Sequence, residues 1–201
     1  MPRKLELPLS ESAVRELRVG DEIEFSGSLV TGRDAAHKYL HSVAHDPSFD
    51  GMVRGRFLYH CGPVVRREPD GSWRVVAAGP TTSIREEPYQ AQVIETYGVR
   101  GIIGKGGMGP KTLAALQKHG AVYVHAIGGL AVVLAHCVTR VHGVYRYEEL
   151  GPPEAMWHLE VKDFPAVITM DSHGGSLHAE MEAQSQAAAR ALMEANPFRG
   201  R

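Results

Sequence analysis

The stretch VRGIIGKGGMGPKTLAALQKHG, Val99 to Gly120, constrains the fold more than any other part of the chain. Val99, Ile102 and Ile103 form a short apolar run bounded by glycine, the pattern of a buried strand. Pro110 suits the first turn of a helix, where its missing N–H is no loss, and Gly120 suits the residue just past a helix end. The segment therefore reads as strand, glycine loop and helix, with Gly104 to Gly109 delivering its backbone to the helix N-terminus. Such a terminus offers unpaired N–H groups and about half a positive charge, and glycine lets an anion approach closely. Lys105 adds a full charge to the same spot. Two readings follow: a small-anion site, or glycines that pack a helix on a sheet beside a solvated lysine.

Known nucleotide motifs do not account for this loop. The pattern G-x-x-x-x-G-K-[ST] would need glycine at Val99 and a hydroxyl at Gly106. Gly104, Gly106 and Gly109 match G-x-G-x-x-G, but the ribose-binding acid expected roughly 20 residues on is missing, because Ala121 to Ile127 holds none.

Charge and cysteine content narrow the function classes. A net charge of -1 gives no long-range pull on nucleic acid or anionic lipid, so a basic site has to be local. The N-terminal MPRKLELPLSES lacks an apolar stretch of signal-peptide length, and the longest apolar run, near Gly128 to Ala135, is too short to cross a bilayer. A cytoplasmic chain is expected, with no metal site of its own: Cys61 and Cys137, the two cysteines, cannot by themselves hold a four-cysteine centre and read as small buried hydrophobes.

Along the chain, residues 1–20 read as a polar docking segment with an amphipathic patch at Val14, Leu17 and Val19. Asp21 to Gly27 alternates, with Ile23 and Phe25 on one face. A helix is expected from Ala35 to Ala44, capped by Asp34, and then a loop from Asp46 to Gly51. Arg56 to Arg67 reads as a strand broken at Gly62 and Pro63, and Asp70-Gly71 as a hairpin turn. Glu86 to Tyr97 reads as a helix with Tyr89, Val93, Ile94 and Tyr97 on one face, stopped by Gly98. A strand at Ala121 to Ile127 and an apolar helix opened by Gly128-Gly129 follow. Trp157 to Val161 and Ala166 to Asp171 read as strands separated at Phe164-Pro165, and a last helix runs from about Leu177 to Ala195. Early antiparallel strands followed by alternating strand and helix imply one α/β domain over 1–201, with a mixed sheet and flanking helices.

Three cations fall at strand-to-helix junctions: Arg33, Arg85 and Lys105. Such a set suits a dicarboxylate, because the arginine fork pairs a carboxylate bidentately while lysine acts as a point charge. Ser83 and Glu86 match a capping box, which explains Ser83 without explaining Thr81, Thr82 and Arg85 beside it. His37, His41 and His45 share a helical spacing and read as a surface face. Asp171, Ser172 and His173 resemble a triad only as letters, and read as a strand end entering a turn at Gly174-Gly175.

Four motifs, VTGRDAAH (Val30 to His37), GPTTSIR (Gly79 to Arg85), GKGGMGP (Gly104 to Pro110) and DFPAVITMDSHG (Asp163 to Gly174), together resemble the beta subunit, or C-terminal domain, of class I iron-sulfur hydro-lyases. These are the class I fumarases and L(+)-tartrate dehydratases, and the resemblance runs from about Val19 to Leu177. It implies a swivelling β/β/α domain like the last domain of aconitase. It also implies a cysteine-bearing alpha subunit holding a 4Fe-4S cluster, a heterotetramer, and activity only when the two parts join. By position, Thr81 matches the family's general base; Arg33, Arg85 and Lys105, with Thr82, Gly104 and Gly106, match groups around the substrate carboxylates. The implied reaction is the reversible hydration of fumarate to malate, with tartrate to oxaloacetate as the alternative. Ser83, Ile84 and Glu86 depart from the continuation often seen in fumarases, which keeps tartrate in view. A non-catalytic anion-binding or assembly module is the reading from another class.

Overall fold

The computed structural model describes residues 1–194. The chain begins with β1 (Arg3–Glu6), α1 (Glu11–Arg15) and β2 (Glu22–Thr31), then α2 (Asp34–Ser42), α3 (Pro47–Val53) and β3 (Phe57–Tyr59). A hairpin of β4 (Val64–Arg67) and β5 (Trp73–Ala77) leads through a single 3-10 turn, Ser83–Glu86, into α4 (Glu87–Tyr97). β6 (Gly101–Gly104), α5 (Pro110–His119), β7 (Val122–His125) and α6 (Ala131–His136) follow. The chain closes with β8 (Val138–Tyr145), α7 (Tyr147–Leu150), β9 (Met156–Met170) and α8 (Leu177–Glu194). The expected end of the last helix at Ala195 lies outside the described residues.

The main sheet is mixed, in the order β1-β2-β3-β6-β7-β9-β8. β2, β3, β6 and β7 run parallel, whereas β9 is antiparallel to both β7 and β2. Pairing of β2 with β9, from Glu22↔Val167 to Val30↔His158, closes the sheet on itself. Two cores result. Phe25, Phe57, Tyr59, Ile103, Val122, Val124, Trp157 and Phe164 fill the inside of the fold, between its parallel and antiparallel walls. Leu58, Ile102 and Tyr123, one residue out of step, face the other way and meet Val93, Ile94 and Tyr97 of α4 and Leu116 of α5. The side-chain period of two sends neighbours on the same strand into different cores, so β3 and β6 are apolar on both faces. The mixed sheet with flanking helices is what the pattern of elements implies, and its layers are sheet, sheet and helix, as the resemblance implies.

Local signals hold where the next residues decide them. Ile23 and Phe25 are both buried in the inner core, and Gly98 and Gly120 end α4 and α5 at φ 61 and 63, where a side chain would be strained. Residues 1–20 carry β1, laid parallel on β2, and α1, whose Val14 is buried with Leu17 just beyond it. Three expectations need correction. Asp46 to Gly51 is not a loop: Asp46 accepts from the amides of Ser48 and Phe49, and Pro47 opens α3. The break at Phe164-Pro165 is absent, because β9 passes through it as one strand with a bulge opposite Ser26 and Asp163 at φ 48. Asp34 does not cap α2; it is the first helical residue, and Glu154 from the segment before β9 accepts the Ala35 amide instead.

Candidate functional site

Because β2, β3 and β6 are parallel, their carboxyl ends meet at one edge of the sheet, the usual place for ligands in α/β folds. Arg33 follows β2, His60 and Cys61 follow β3, and Lys105 follows β6. The Thr81–Ser83 segment is laid between the last two. The Thr81 amide donates to the His60 carbonyl at 2.7 Å, the Lys105 amide to the Thr81 carbonyl at 3.3 Å, and the Ser83 amide to the Lys105 carbonyl at 3.1 Å. Thr82 and Lys105 form a parallel bridge. Thr81 thus takes the place in the sheet that β3 has vacated, and its hydroxyl donates to the same His60 carbonyl at 3.0 Å.

The arginines come together through a carboxylate. Asp34 Oδ2 lies 2.9 Å from Arg85 Nη2 and 4.0 Å from Arg33 Nη2. Glu154 stands 3.3 Å from Arg33 Nε. Arg33 lies flat against Gly62, where a Cβ would come within 2.8 Å of its Nη1. Thr81, Thr82, Lys105 and the Arg33–Arg85 pair therefore share one edge of the molecule, half-buried or exposed, at the ends of adjacent strands.

The glycine loop works differently from the sequence expectation. The anion at the N-terminus of α5 is the chain's own Glu87: its carboxylate accepts from the amides of Gly109, Lys111 and Thr112 at 2.8, 2.9 and 3.2 Å and from the Thr112 hydroxyl at 2.6 Å. No free anion is needed there. Gly104 also has a packing duty, since a Cβ on it would overlap Ser83 Oγ and come within 2.9 Å of the Tyr123 hydroxyl. Gly106, exposed at φ +80, leaves the backbone beside Thr82 uncovered.

Behind Thr81 lies a buried polar set that the sequence reading missed. Ser83 does not cap a helix; its Oγ accepts from the Tyr123 hydroxyl at 2.8 Å and lies 2.9 Å from His60 Nδ1. His37 is buried rather than part of a surface face, while His41 is exposed and His45 lies beyond the helix end. The Gln90 side-chain amide stands 2.9 Å from His37 Nε2 and 2.8 Å from His60 Nε2. Burial holds both histidines neutral by pushing their pKa values down. The signal that could have found His60 is its place in the run Phe57 to Cys61, where it is the one strongly polar residue. Gln90 likewise sits on the apolar face of α4, three residues before Val93 and four before Ile94.

Glu86, the other half of the expected capping box, is fully buried with neither carboxylate oxygen hydrogen-bonded. Its Oε2 is 3.7 Å from His37 Nδ1. Burial, and then the charge of Asp34, raise its pKa to about 8, so it is neutral at pH 7. Its ordinary value is 4.5, so between these values the folded chain holds a proton that the unfolded chain releases. This stabilisation is complete below pH 4.5 and is lost as pH rises to about 8. Glu86→Gln is therefore expected to match the parent near pH 4 and to exceed it by about 5 kcal/mol near pH 9 in urea unfolding, the worth of the shift from 4.5 to about 8. Equal stability at both ends would show that Glu86 titrates alike in the folded and unfolded chain.

The remaining candidate groups are structural. Asp171 accepts from the amides of Val19, His173 and Gly175 and so builds the turn expected there. Cys61 is buried, its thiol pushed up to about 12 by burial, and Cys137 is half-buried. Among the described residues no helix is long and apolar enough to cross a membrane.

Residues 3–181 match the family model described as Fumarase C-terminus. A protein of Geobacillus stearothermophilus named as a fumarate hydratase class I is 55% identical over 181 residues, covering 90% of this chain and 34% of that protein. The chain thus spans about a third of that relative's length. The L(+)-tartrate dehydratase subunit beta of Escherichia coli is 39% identical over 181 residues, covering 90% of this chain and 88% of that subunit. A protein of Methanocaldococcus jannaschii named for the same subunit is 39% identical over 175 residues, covering 86% of this chain and 89% of its own.

Proposed function

The chain belongs to the Fumarase C-terminus family, and on that premise we propose that it is the beta part of a two-part hydro-lyase that interconverts fumarate and malate. Carrying this reading is the insertion of Thr81 between the ends of β3 and β6, with Lys105 hydrogen-bonded to one side of it and the Arg33–Arg85 pair on the same edge. Identity of 55% to a relative named for fumarate, against 39% to those named for tartrate, supports the choice of substrate. The near-complete coverage of separate beta subunits supports an alpha partner; a heterotetramer working in the cytoplasm completes the proposal. The 4Fe-4S cluster of the proposal belongs to that partner, a reading supported by the two cysteines of this chain being too few for a four-cysteine centre.

The residues of this chain have distinct duties. Arg33 and Arg85 take one carboxylate of the C4 dicarboxylate, and Lys105 with Thr82 and the uncovered backbone at Gly106 takes the other. Thr81 is the base at the substrate carbon. Its hydroxyl proton is directed to the His60 carbonyl, so the oxygen's lone pairs face outward. To act as base Thr81 must be in its alkoxide form, whose Oγ1 takes the proton from the substrate carbon; nearby positive charge lowers the cost of forming that alkoxide, and exclusion of water when the partner closes the site keeps it reactive.

Assay of the co-expressed pair on malate, fumarate and L(+)-tartrate tests the assignment. Faster turnover of malate and fumarate is expected. A clear preference for tartrate replaces the substrate and leaves the two-part scheme standing.

A further inference from the structure

The least explained feature of the proposed clamp is that it already holds a carboxylate. We propose that Asp34 is an internal counter-anion that occupies the Arg33–Arg85 pair until a dicarboxylate displaces it, and so sets the affinity of the site. The inference rests on the clamp reading above.

Three observations separate this role from a permanent ion pair. The start of α2 does not need the Asp34 carboxylate, because the Ala35 amide is taken by Glu154. Asp34 and Arg85 are each 46% exposed, so their contact is of the kind that contributes little and breaks readily. The geometry is also one-sided: the same Oδ2 is 2.9 Å from one guanidinium and 4.0 Å from the other, and Arg33 Nε is buried without a hydrogen bond. An incoming carboxylate can place one oxygen on each guanidinium, whereas Asp34 offers the same Oδ2 to both.

The charges agree with exchange. Arg33 and Arg85 balance Asp34 and Glu154, and Lys105, whose backbone is bridged to Thr82 at the same edge, adds one further positive charge with Glu86 neutral beneath them. When a ligand carboxylate replaces Asp34 at the guanidiniums, Asp34 swings to water, which its exposure permits. The site therefore favours anions able to outcompete a tethered carboxylate, and a second carboxylate reaching Lys105 gives a dicarboxylate that advantage over a monocarboxylate.

Calorimetric titration of the co-expressed pair with succinate, a dicarboxylate with no hydroxyl or double bond to react, tests this. Asp34→Asn is expected to tighten succinate binding by about two- to fivefold, the worth of an exposed ion pair. In an Arg85→Ala background, the same substitution is expected to change nothing. Unchanged or weaker binding in Asp34→Asn overturns the proposal, and so does equal tightening in both backgrounds, which would be a general field effect. If Arg85→Ala alone leaves succinate binding intact, the clamp reading itself falls, and the exchange with it.

Discussion

Arg85→Ala in the co-expressed pair is expected to lower kcat/KM on malate by about a hundredfold or more. Removing one member of a charge pair that is desolvated on binding costs about 2–5 kcal/mol, and a closed active site places the Arg85 contact in that class. In the free chain the same guanidinium is 46% exposed and, among the described residues, paired only with Asp34, so the fold has little to lose. The prediction thus separates function from stability: thermal unfolding of the variant stays near the parent while turnover collapses. Lys105→Ala provides a second point on the same edge, because its backbone rather than its side chain joins β6 to Thr81 and Ser83. Should Arg85→Ala turn over at the parent rate, the chain is a non-catalytic anion-binding or assembly module, and its arginines serve some other contact.

Much of this edge was legible in the sequence because each element is decided by residues close by. Proline at the start of α5, left-handed glycine at the ends of α4 and α5, and the two-residue alternation at Ile23 and Phe25 are local rules with local outcomes. Placement of Arg33, Arg85 and Lys105 at strand-to-helix junctions was equally legible; parallel pairing of β2, β3 and β6 brings the first and last to one edge, and the Thr82–Lys105 bridge brings Arg85 beside them.

What was not legible depends on partners distant in the chain. A helix N-terminus announces that it wants an anion but not which one; Glu87 supplies it to α5 from the start of the preceding helix. Ser83 and Glu86 have capping-box spacing, yet the backbone there forms a 3-10 turn, Ser83 is claimed by Tyr123 and His60, and Glu86 is buried. His37 lay on a face that counting from His41 made polar, while Gln90 and His60 from other elements enclose it. Pro165 looked like a strand break because proline cannot donate to a ladder, but β9 absorbs the irregularity in a bulge at Asp163.

The central claim is that this chain contributes the charged and hydroxyl-bearing half of an active site whose other half is a separate alpha part. The most direct measurement is malate dehydration by the purified chain, by the purified cluster-loaded alpha subunit, and by mixtures of the two in rising proportion. The account predicts negligible rates for each part alone and a rate that climbs on mixing until the parts are equimolar. A chain that turns over malate alone, or an alpha subunit whose full rate needs no addition, would contradict it.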